Sequence, residues 1–296
     1  MNGIIFLRNK KRRMENYMPK TLYISDLDGT LLNSKKELSP LTRKALNRFI
    51  SEGICFSVAT ARTAASTSKI LSGIDFGLPS VLMNGAVIYD FGREEYIKIE
   101  TICEKNVQII SDMINQYGIS GFMYAVRDGV LVTYYENLKT KPMKDFYDER
   151  VKRYYKTFER VDSFMHKAVE NNVVYFTMID EYDTLLGTCN DLKNVDGIDS
   201  TLYRDIYAED LWYLEVYSKN ASKYNAVNFL REHYGFDRIV GYGDNHNDIP
   251  LLKACDEFFA VSNAVDELKA LSTAVIESNL TDGVIKHMME RESIML

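Results

Sequence analysis

Two aspartates, Asp26 and Asp28, stand two positions apart at the end of an apolar run and are followed by Gly29 and Thr30. Side chains at i and i+2 of an extended segment point the same way. The spacing therefore predicts a buried strand within 22–32 that delivers both carboxylates to its carboxyl end, facing one small volume. Like charges held that close are unfavourable unless a cation or a shared proton compensates them. Two chemistries meet that condition: a divalent cation between the acids, or a division of labour in which one acid is ionised and the other protonated. An ordinary polar β-turn is the plainer reading of Asp-Gly. The surrounding elements decide between these readings.

Residues 40–53 set Leu41, Ala45, Leu46, Phe49 and Ile50 on one helical face, closed by Gly53. A strand over 54–59 ends on Thr60, Ala61 and Arg62, a helix continues through Ser72, and a third strand over 80–83 leads into Asn84-Gly85-Ala86. Such alternation predicts a parallel α/β sheet, whose ligands sit beyond the carboxyl ends of the strands, where Asp26, Thr60 and Asn84 fall.

From 87 to 219 the rhythm changes. Strands over 95–99, 122–126, 130–135, 173–179, 201–205 and 211–217 are interspersed with helices over 104–117 and 181–192. Asp128-Gly129 is a hairpin signal, and 138–170 reads as helical in part. This predicts an α+β domain inserted into the first. The parallel pattern then resumes with a helix over 221–234, a strand over 238–242 and the run Gly243-Asp244-Asn245-His246-Asn247-Asp248. Helices over 249–254, 265–271 and 283–290 and strands over 257–261 and 274–277 follow. The expected organisation is a disordered extension over 1–17, with Met18 as the expected start, a core made of 18–86 and 220–296, and a cap over 87–219.

The chain has 296 residues, of which 46% are hydrophobic, enough for a packed core. Its net charge of -6 argues against a nucleic-acid partner, which calls for a basic face. No apolar run approaches the roughly eighteen residues of a membrane span. Cys55, Cys103, Cys189 and Cys255 are scattered without metal or disulfide spacing and are expected to be reduced core thiols of a cytoplasmic protein. Fifteen of the twenty tyrosines lie in 87–219. Sheet propensity and core packing account for most of them, although a pocket for a ring or sugar would use the same residue type.

Candidate partners for the opening acids lie at the other strand and helix ends. Thr60 offers a hydroxyl for a phosphate oxygen. Lys223 opens a helix just after the insert, where it could neutralise a phosphoryl group. Asp244 and Asp248, with Asn247 beside them, follow another apolar strand. Hard oxygen ligands without a His/Cys cluster point to Mg²⁺ rather than zinc, and the ion would hold Asp26 and Asp244 together despite their charges. His246 is expected to face solvent, and His166, His233 and His287 have no evident partner.

Taken together, Asp-Leu-Asp-Gly-Thr at 26–30, Thr-Ala-Arg at 60–62, Lys223 and Gly-Asp-Asn-His-Asn-Asp at 243–248 resemble, in order, the motifs of the haloacid dehalogenase-like (HAD) phosphohydrolases. The cap inserted between the second and third motifs resembles the Cof-type branch with its type II cap, as do Asn84-Gly85-Ala86, Asn263-Ala264 and residues 279–284. The resemblance implies an α/β fold: a Rossmann-like parallel-sheet core carrying an inserted α+β cap that governs substrate choice. It implies Asp26 as nucleophile and metal ligand, and Asp28 as acid/base and, through its carbonyl, metal ligand. It further implies Leu27, Thr60, Ala61, Lys223 and Asn247 as phosphate-binding positions, Asp244 as a direct metal ligand and Asp248 as a supporting one. Ala61 and Tyr224 stand where the family often has glycine. Alanine keeps the backbone N–H, whereas Tyr224 adds bulk beside the lysine.

The expected activity is Mg²⁺-dependent hydrolysis of small phosphate esters through an aspartyl-phosphate, with sugar phosphates first and pyridoxal phosphate or flavin mononucleotide next. The enzyme is expected to be a monomer or weak homo-oligomer with no nucleic-acid or membrane partner. A sugar phosphomutase and a non-catalytic phospho-ligand sensor are the alternatives.

Overall fold

A computed structural model describes residues 20–74, 76–154, 157–204 and 211–295, so the extension expected over 1–17 lies outside the described residues. The first strand, β1 (Thr21–Ser25), is short and almost wholly buried because Leu22, Tyr23 and Ile24 have neighbours on both faces. β2 (Cys55–Val58) follows the helix Pro40–Ser51. That helix starts on a Ser39 cap and buries Ala45, Leu46 and Phe49. Next come β3 (Ser80–Leu82), β4 (Val87–Asp90) and β5 (Glu95–Ile99), then β6 (Gly121–Arg127), β7 (Val130–Tyr135), β8 (Thr157–Arg160), β9 (Asn172–Asp180), β10 (Ile198–Arg204) and β11 (Trp212–Ser218). The chain closes with β12 (Arg238–Gly243), β13 (Glu257–Val261) and β14 (Ala274–Ile276).

The core sheet runs β14-β13-β12-β1-β2 with every pairing parallel. β1 lies between β12 and β2, so residues following β1 and β12 emerge side by side. The expected third parallel strand is realised differently. β3 heads an antiparallel sheet with β4 and β5 and meets the end of β2 only at the parallel bridge Ala59–Val81. The reason lies at Asn84-Gly85, where positive φ values of +54° and +97° reverse the chain and fold β4 back onto β3.

The insert is an α+β cap. Its six-stranded sheet, β10-β11-β9-β6-β7-β8, packs one face under the helices Glu104–Gln116 and Tyr182–Leu192 through Met123, Phe176, Leu214 and Val216. The opposite face contributes Phe122, Tyr124 and Tyr175 to a second apolar cluster that also holds Leu82, Met83, Ala86 and Val87, and this cluster joins cap to core. The helix Lys141–Tyr154 adds Met143 and Phe146 to the same cluster.

Three smaller expectations are corrected. Cys103 is exposed at the start of the helix Glu104–Gln116, whereas Cys189 is buried and Cys55 and Cys255 are half-buried. His287 has partners after all: its Nδ1 lies 3.0 Å from the Tyr242 hydroxyl, and its ring packs on Phe259. His233 stacks on Phe229. No helix among the described residues is long and apolar enough to cross a membrane.

Candidate active site

β1 ends at Ser25, and the next residue, Asp26, is fixed beside β12 by its backbone N–H, which donates to the Tyr242 carbonyl at 3.0 Å. The chain then winds into a tight turn over Leu27–Leu31 instead of continuing extended, with Gly29 at φ +76°. A Cβ at Gly29 would fall 2.2 Å from Oδ2 of Asp244, so the turn closes over that carboxylate only because residue 29 has no side chain. Thr30 donates its hydroxyl to Asp244 Oδ1 at 3.0 Å. Two amides brace the turn from behind: Asn263 Nδ2 donates to the Gly29 carbonyl at 2.8 Å and Asn279 Nδ2 to the Leu32 carbonyl at 2.8 Å.

β12 delivers the second group of acids. Asp248 is fully buried, and its Oδ2 accepts from the backbone N–H groups of Asp244 at 2.9 Å and Asn245 at 3.2 Å, tying the two ends of the motif together. Its Oδ1 accepts from Lys223 Nζ at 2.6 Å, and the same ammonium donates to Asp26 Oδ1 at 2.8 Å. Lys223 is only 1% exposed. It is the first residue of the helix Lys223–Tyr234, whose Ser222 cap accepts from the Asn225 N–H. A Cβ at Gly85 would sit 2.2 Å from the Ser222 carbonyl, so Gly85 lets the core turn press directly against this helix start.

One ligand oxygen from each of Asp26, Asp244 and Asp248 falls within 4.8 Å of the others. Three carboxylates, Asp26 and Asp248 buried and Asp244 half-buried, against one lysine leave excess negative charge. Burial, with the Asp248 and Asp244 carboxylates beside it, drives the pKa of Asp26 well above the carboxylate range against the pull of Lys223. Burial and Asp248 push Asp244 up to about 7. Burial alone would lower the Lys223 pKa, but Asp248 and Asp26 outweigh it and raise it. The set therefore fits a divalent cation held by oxygen ligands: a further positive charge relieves the repulsion, and Thr30 and the backbone already orient two of the carboxylates.

Asp28 lies on the more open side of the site: residues 27–31 turn rather than extend, and its carboxylate is near enough to Asp244 to add to the rise of that group's pKa. The Asp28 side chain is 46% exposed, and Arg62 holds it from the flank, with Nε to Oδ2 at 2.5 Å and Nη2 to Oδ1 at 2.6 Å. The Leu27 side chain is buried in the turn. Thr60 is buried at the end of β2. Its N–H donates to the Val81 carbonyl at 2.9 Å, and its hydroxyl accepts from the Arg62 N–H at 3.2 Å. Ala61 is exposed. Asn247, also exposed, donates to Asn84 Oδ1 at 3.3 Å, which brings the strained turn after β3 to the β12 motif. His246 is exposed beside Glu267, as expected, and Tyr224 is 43% exposed.

Sequence reasoning assigned no role to Arg62, Thr30, Asn84 or Asn263. Arg62 stands in the quoted Thr-Ala-Arg motif and Thr30 in the opening one, so their positions were visible while their partners were not.

The sequence model of the haloacid dehalogenase-like hydrolases matches residues 23–288, nearly the whole chain. The chain belongs to the haloacid dehalogenase-like hydrolase family. With its buried aspartates it is an enzyme of phosphatase type. This hydrolase is 26% identical over 266 residues to the pyridoxal phosphate phosphatase YbhA of Escherichia coli (strain K12), covering 88% of this chain and 94% of that one. It is 24% identical over 277 residues to the 5-amino-6-(5-phospho-D-ribitylamino)uracil phosphatase YwtE of Bacillus subtilis (strain 168), covering 88% and 93%. Its fold matches the crystal structure of a haloacid dehalogenase-like hydrolase from Bacteroides thetaiotaomicron with a TM-score of 0.76 at 21% identity, over 92% of this chain and 99% of that one.

Proposed function

We propose that this hydrolase is a Mg²⁺-dependent phosphomonoesterase of the Cof-type branch, with a type II cap, acting on small phosphorylated metabolites in the cytoplasm as a monomer or weak homo-oligomer. The observation that carries the reading is the group of Asp26, Asp244 and Asp248, the first and last of them buried around Lys223, at the carboxyl ends of β1 and β12. Such a group has one acid free to attack and an oxygen-lined place for a cation. Asp26, Asp244 and Asp248, with the Asp28 carbonyl, would hold Mg²⁺. The bound ion would supply charge neutralisation for the phosphoryl oxygens and for the acids.

In the first half-reaction, an Asp26 carboxylate oxygen forms a bond to phosphorus in line with the departing alkoxide, the ester P–O bond breaks, and Asp28 gives its proton to the alkoxide. The product is an aspartyl-phosphate on Asp26. In the second, Asp28 takes a proton from a water that attacks the same phosphorus, which releases phosphate and restores Asp26. Lys223 balances Asp26 and the developing phosphoryl charge, while Leu27, Thr60, Ala61 and Asn247 are assigned to the phosphate oxygens. For these steps Asp28 must exchange its Arg62 partner for the leaving group.

Sugar phosphates are the first substrates to examine, with pyridoxal phosphate and flavin mononucleotide next. Relatives named for pyridoxal phosphate and for a phosphorylated ribitylaminouracil support the broader class of small phosphate esters. The test is hydrolysis of p-nitrophenyl phosphate with Mg²⁺. Asp26→Asn abolishes phosphate release if Asp26 is the nucleophile, and retained turnover in a clean preparation overturns that assignment. An isomeric sugar phosphate formed in place of free phosphate would instead identify a mutase.

A further inference from the structure

The two faces of the cap sheet differ in chemistry. Leu214 and Val216 of β11 point into the cap's own helices, so alternation turns Tyr213, Glu215 and Tyr217 to the opposite face. That face packs, through Tyr124, Tyr175 and their neighbours, on Leu82, Met83 and Ala86, the residues flanking the Asn84 turn that reaches Asn247. It is the side of the cap directed at the core, and β11 places a carboxylate on it.

Glu215 is held there chiefly by neutral donors. Tyr175 donates its hydroxyl to Oε2 at 2.6 Å and Tyr203 donates to Oε1 at 2.9 Å. The rings around it form two stacked pairs, Tyr175 with Tyr217 and Tyr203 with Tyr213, each with centroids 5.5 Å apart and nearly parallel planes. Among the described residues no lysine, arginine or histidine makes a direct ion pair with Glu215; the Arg150 guanidinium, packed over the Phe146 ring, acts on it only at longer range. Burial pushes its pKa up, and the two tyrosine bonds, with the more distant Arg150 charge, pull against that. A carboxylate surrounded by aromatic rings and given only neutral donors is unfavourable. Two hydroxyls occupy only part of its capacity of about four lone-pair sites. The remaining capacity suits a positively charged or N–H donor, and the flat phenol faces suit a planar ring.

We propose that Glu215, walled by Tyr175, Tyr203, Tyr213 and Tyr217, is a specificity-determining residue that selects phosphate esters of nitrogen-containing ring compounds. The ring would lie against the tyrosines and a ring N–H or protonated ring nitrogen would donate to the carboxylate. The inference rests on the phosphomonoesterase reading and reverses its substrate order, placing nitrogen-ring phosphates ahead of sugar phosphates. A planar ring can lie on the tyrosine faces, and a protonated ring nitrogen would bring a positive charge to the carboxylate; a sugar offers neither.

The test uses the full chain with Mg²⁺ and compares kcat/KM for pyridoxal 5′-phosphate and flavin mononucleotide with that for phenyl phosphate, a ring without nitrogen, and for glucose 6-phosphate. The wild type is expected to favour at least one nitrogen-ring ester over both references by tenfold or more. Glu215→Gln, nearly isosteric and neutral, is expected to cut that preference at least tenfold. Tyr203→Phe keeps the ring but removes one hydroxyl from Glu215. It provides the second variant should Glu215→Gln fail to fold, and it is expected to shift the same preference severalfold. A purely structural Tyr–Glu–Tyr tie would lower the melting temperature and leave the preference untouched. An unchanged preference in a folded variant, or a wild type that favours neither nitrogen-ring ester, overturns the inference while leaving the phosphomonoesterase reading intact. A wild type that hydrolyses none of the four esters nor p-nitrophenyl phosphate overturns the phosphomonoesterase reading and the inference with it.

Discussion

Removing the Lys223 ammonium is expected to destabilise the fold far more than removing a surface lysine. The side chain is 1% exposed and donates to two carboxylates, at 2.6 and 2.8 Å, that are themselves buried. Lys223→Met keeps most of the stem's volume, so the dominant effect is electrostatic: Asp26 and Asp248 are left facing each other, and Asp244, without a cation. Breaking a buried pair by deleting one partner costs about 3–5 kcal/mol, and one ammonium serving two acids puts the expected loss toward the upper end.

The pH dependence separates this cause from lost packing. The wild-type lysine has a raised pKa, so its contribution is fully present below the unfolded value near 10.4 and is lost only as pH rises through the folded value. Between pH 5 and 8 it is constant. In the variant, the orphaned carboxylates bind protons more tightly folded than unfolded, so part of the lost stability returns as pH falls from 8 to 5. Urea unfolding followed by circular dichroism, in chelator, at both pH values measures this. A loss below about 1 kcal/mol at pH 8 would refute the assignment of Lys223 as the cluster's counterion. So would a loss independent of pH.

Mg²⁺ should raise the melting temperature more at pH 8 than at pH 6, because Asp244, pushed up to about 7, must shed its proton to bind a cation and cannot do so well below that pH. Equal gains in thermal-shift assays at the two pH values would count against Asp244 as a ligand. Gly29→Ala should lower stability by about 1–3 kcal/mol for a side chain at positive φ, and should weaken Mg²⁺ binding, measured by calorimetry, since the added Cβ displaces the Asp244 carboxylate. Arg62→Ala should change stability by less than about 1 kcal/mol, because its Asp28 partner is half exposed. The same variant should lower kcat roughly tenfold with a smaller change in KM if Arg62 positions Asp28. Arg62→Lys should restore little, because an ammonium cannot reproduce the two-pronged contact, and an unchanged kcat would remove Arg62 from the site.

Much of the framework was legible in the chain because it follows from local periodicity. The run Leu22-Tyr23-Ile24 reads as a buried strand whatever surrounds it, and Ala45, Leu46 and Phe49 fix the face of the first helix. The change from alternating strands and helices to hairpins marked the inserted cap. Asp26, Asp244, Asp248 and Lys223 were each legible as polar residues at element ends, and their convergence follows once β1 and β12 are neighbours.

What sequence spacing alone could not give is which way each group turns and whom it meets. Asp28 looked like the twin of Asp26, yet it is half exposed and held by Arg62, a partner 34 residues away. β3 looked like a further core strand until the left-handed residues at Asn84-Gly85 folded it onto β4. The tyrosines of the insert were countable, but only the register of β9, β10 and β11 sets Tyr175 and Tyr203 on either side of Glu215. Periodicity is a property of neighbours along the chain and fixes elements. Ion pairs, ring stacks and the shared burial of carboxylates depend on distances between residues far apart in sequence, and those distances exist only in the folded molecule.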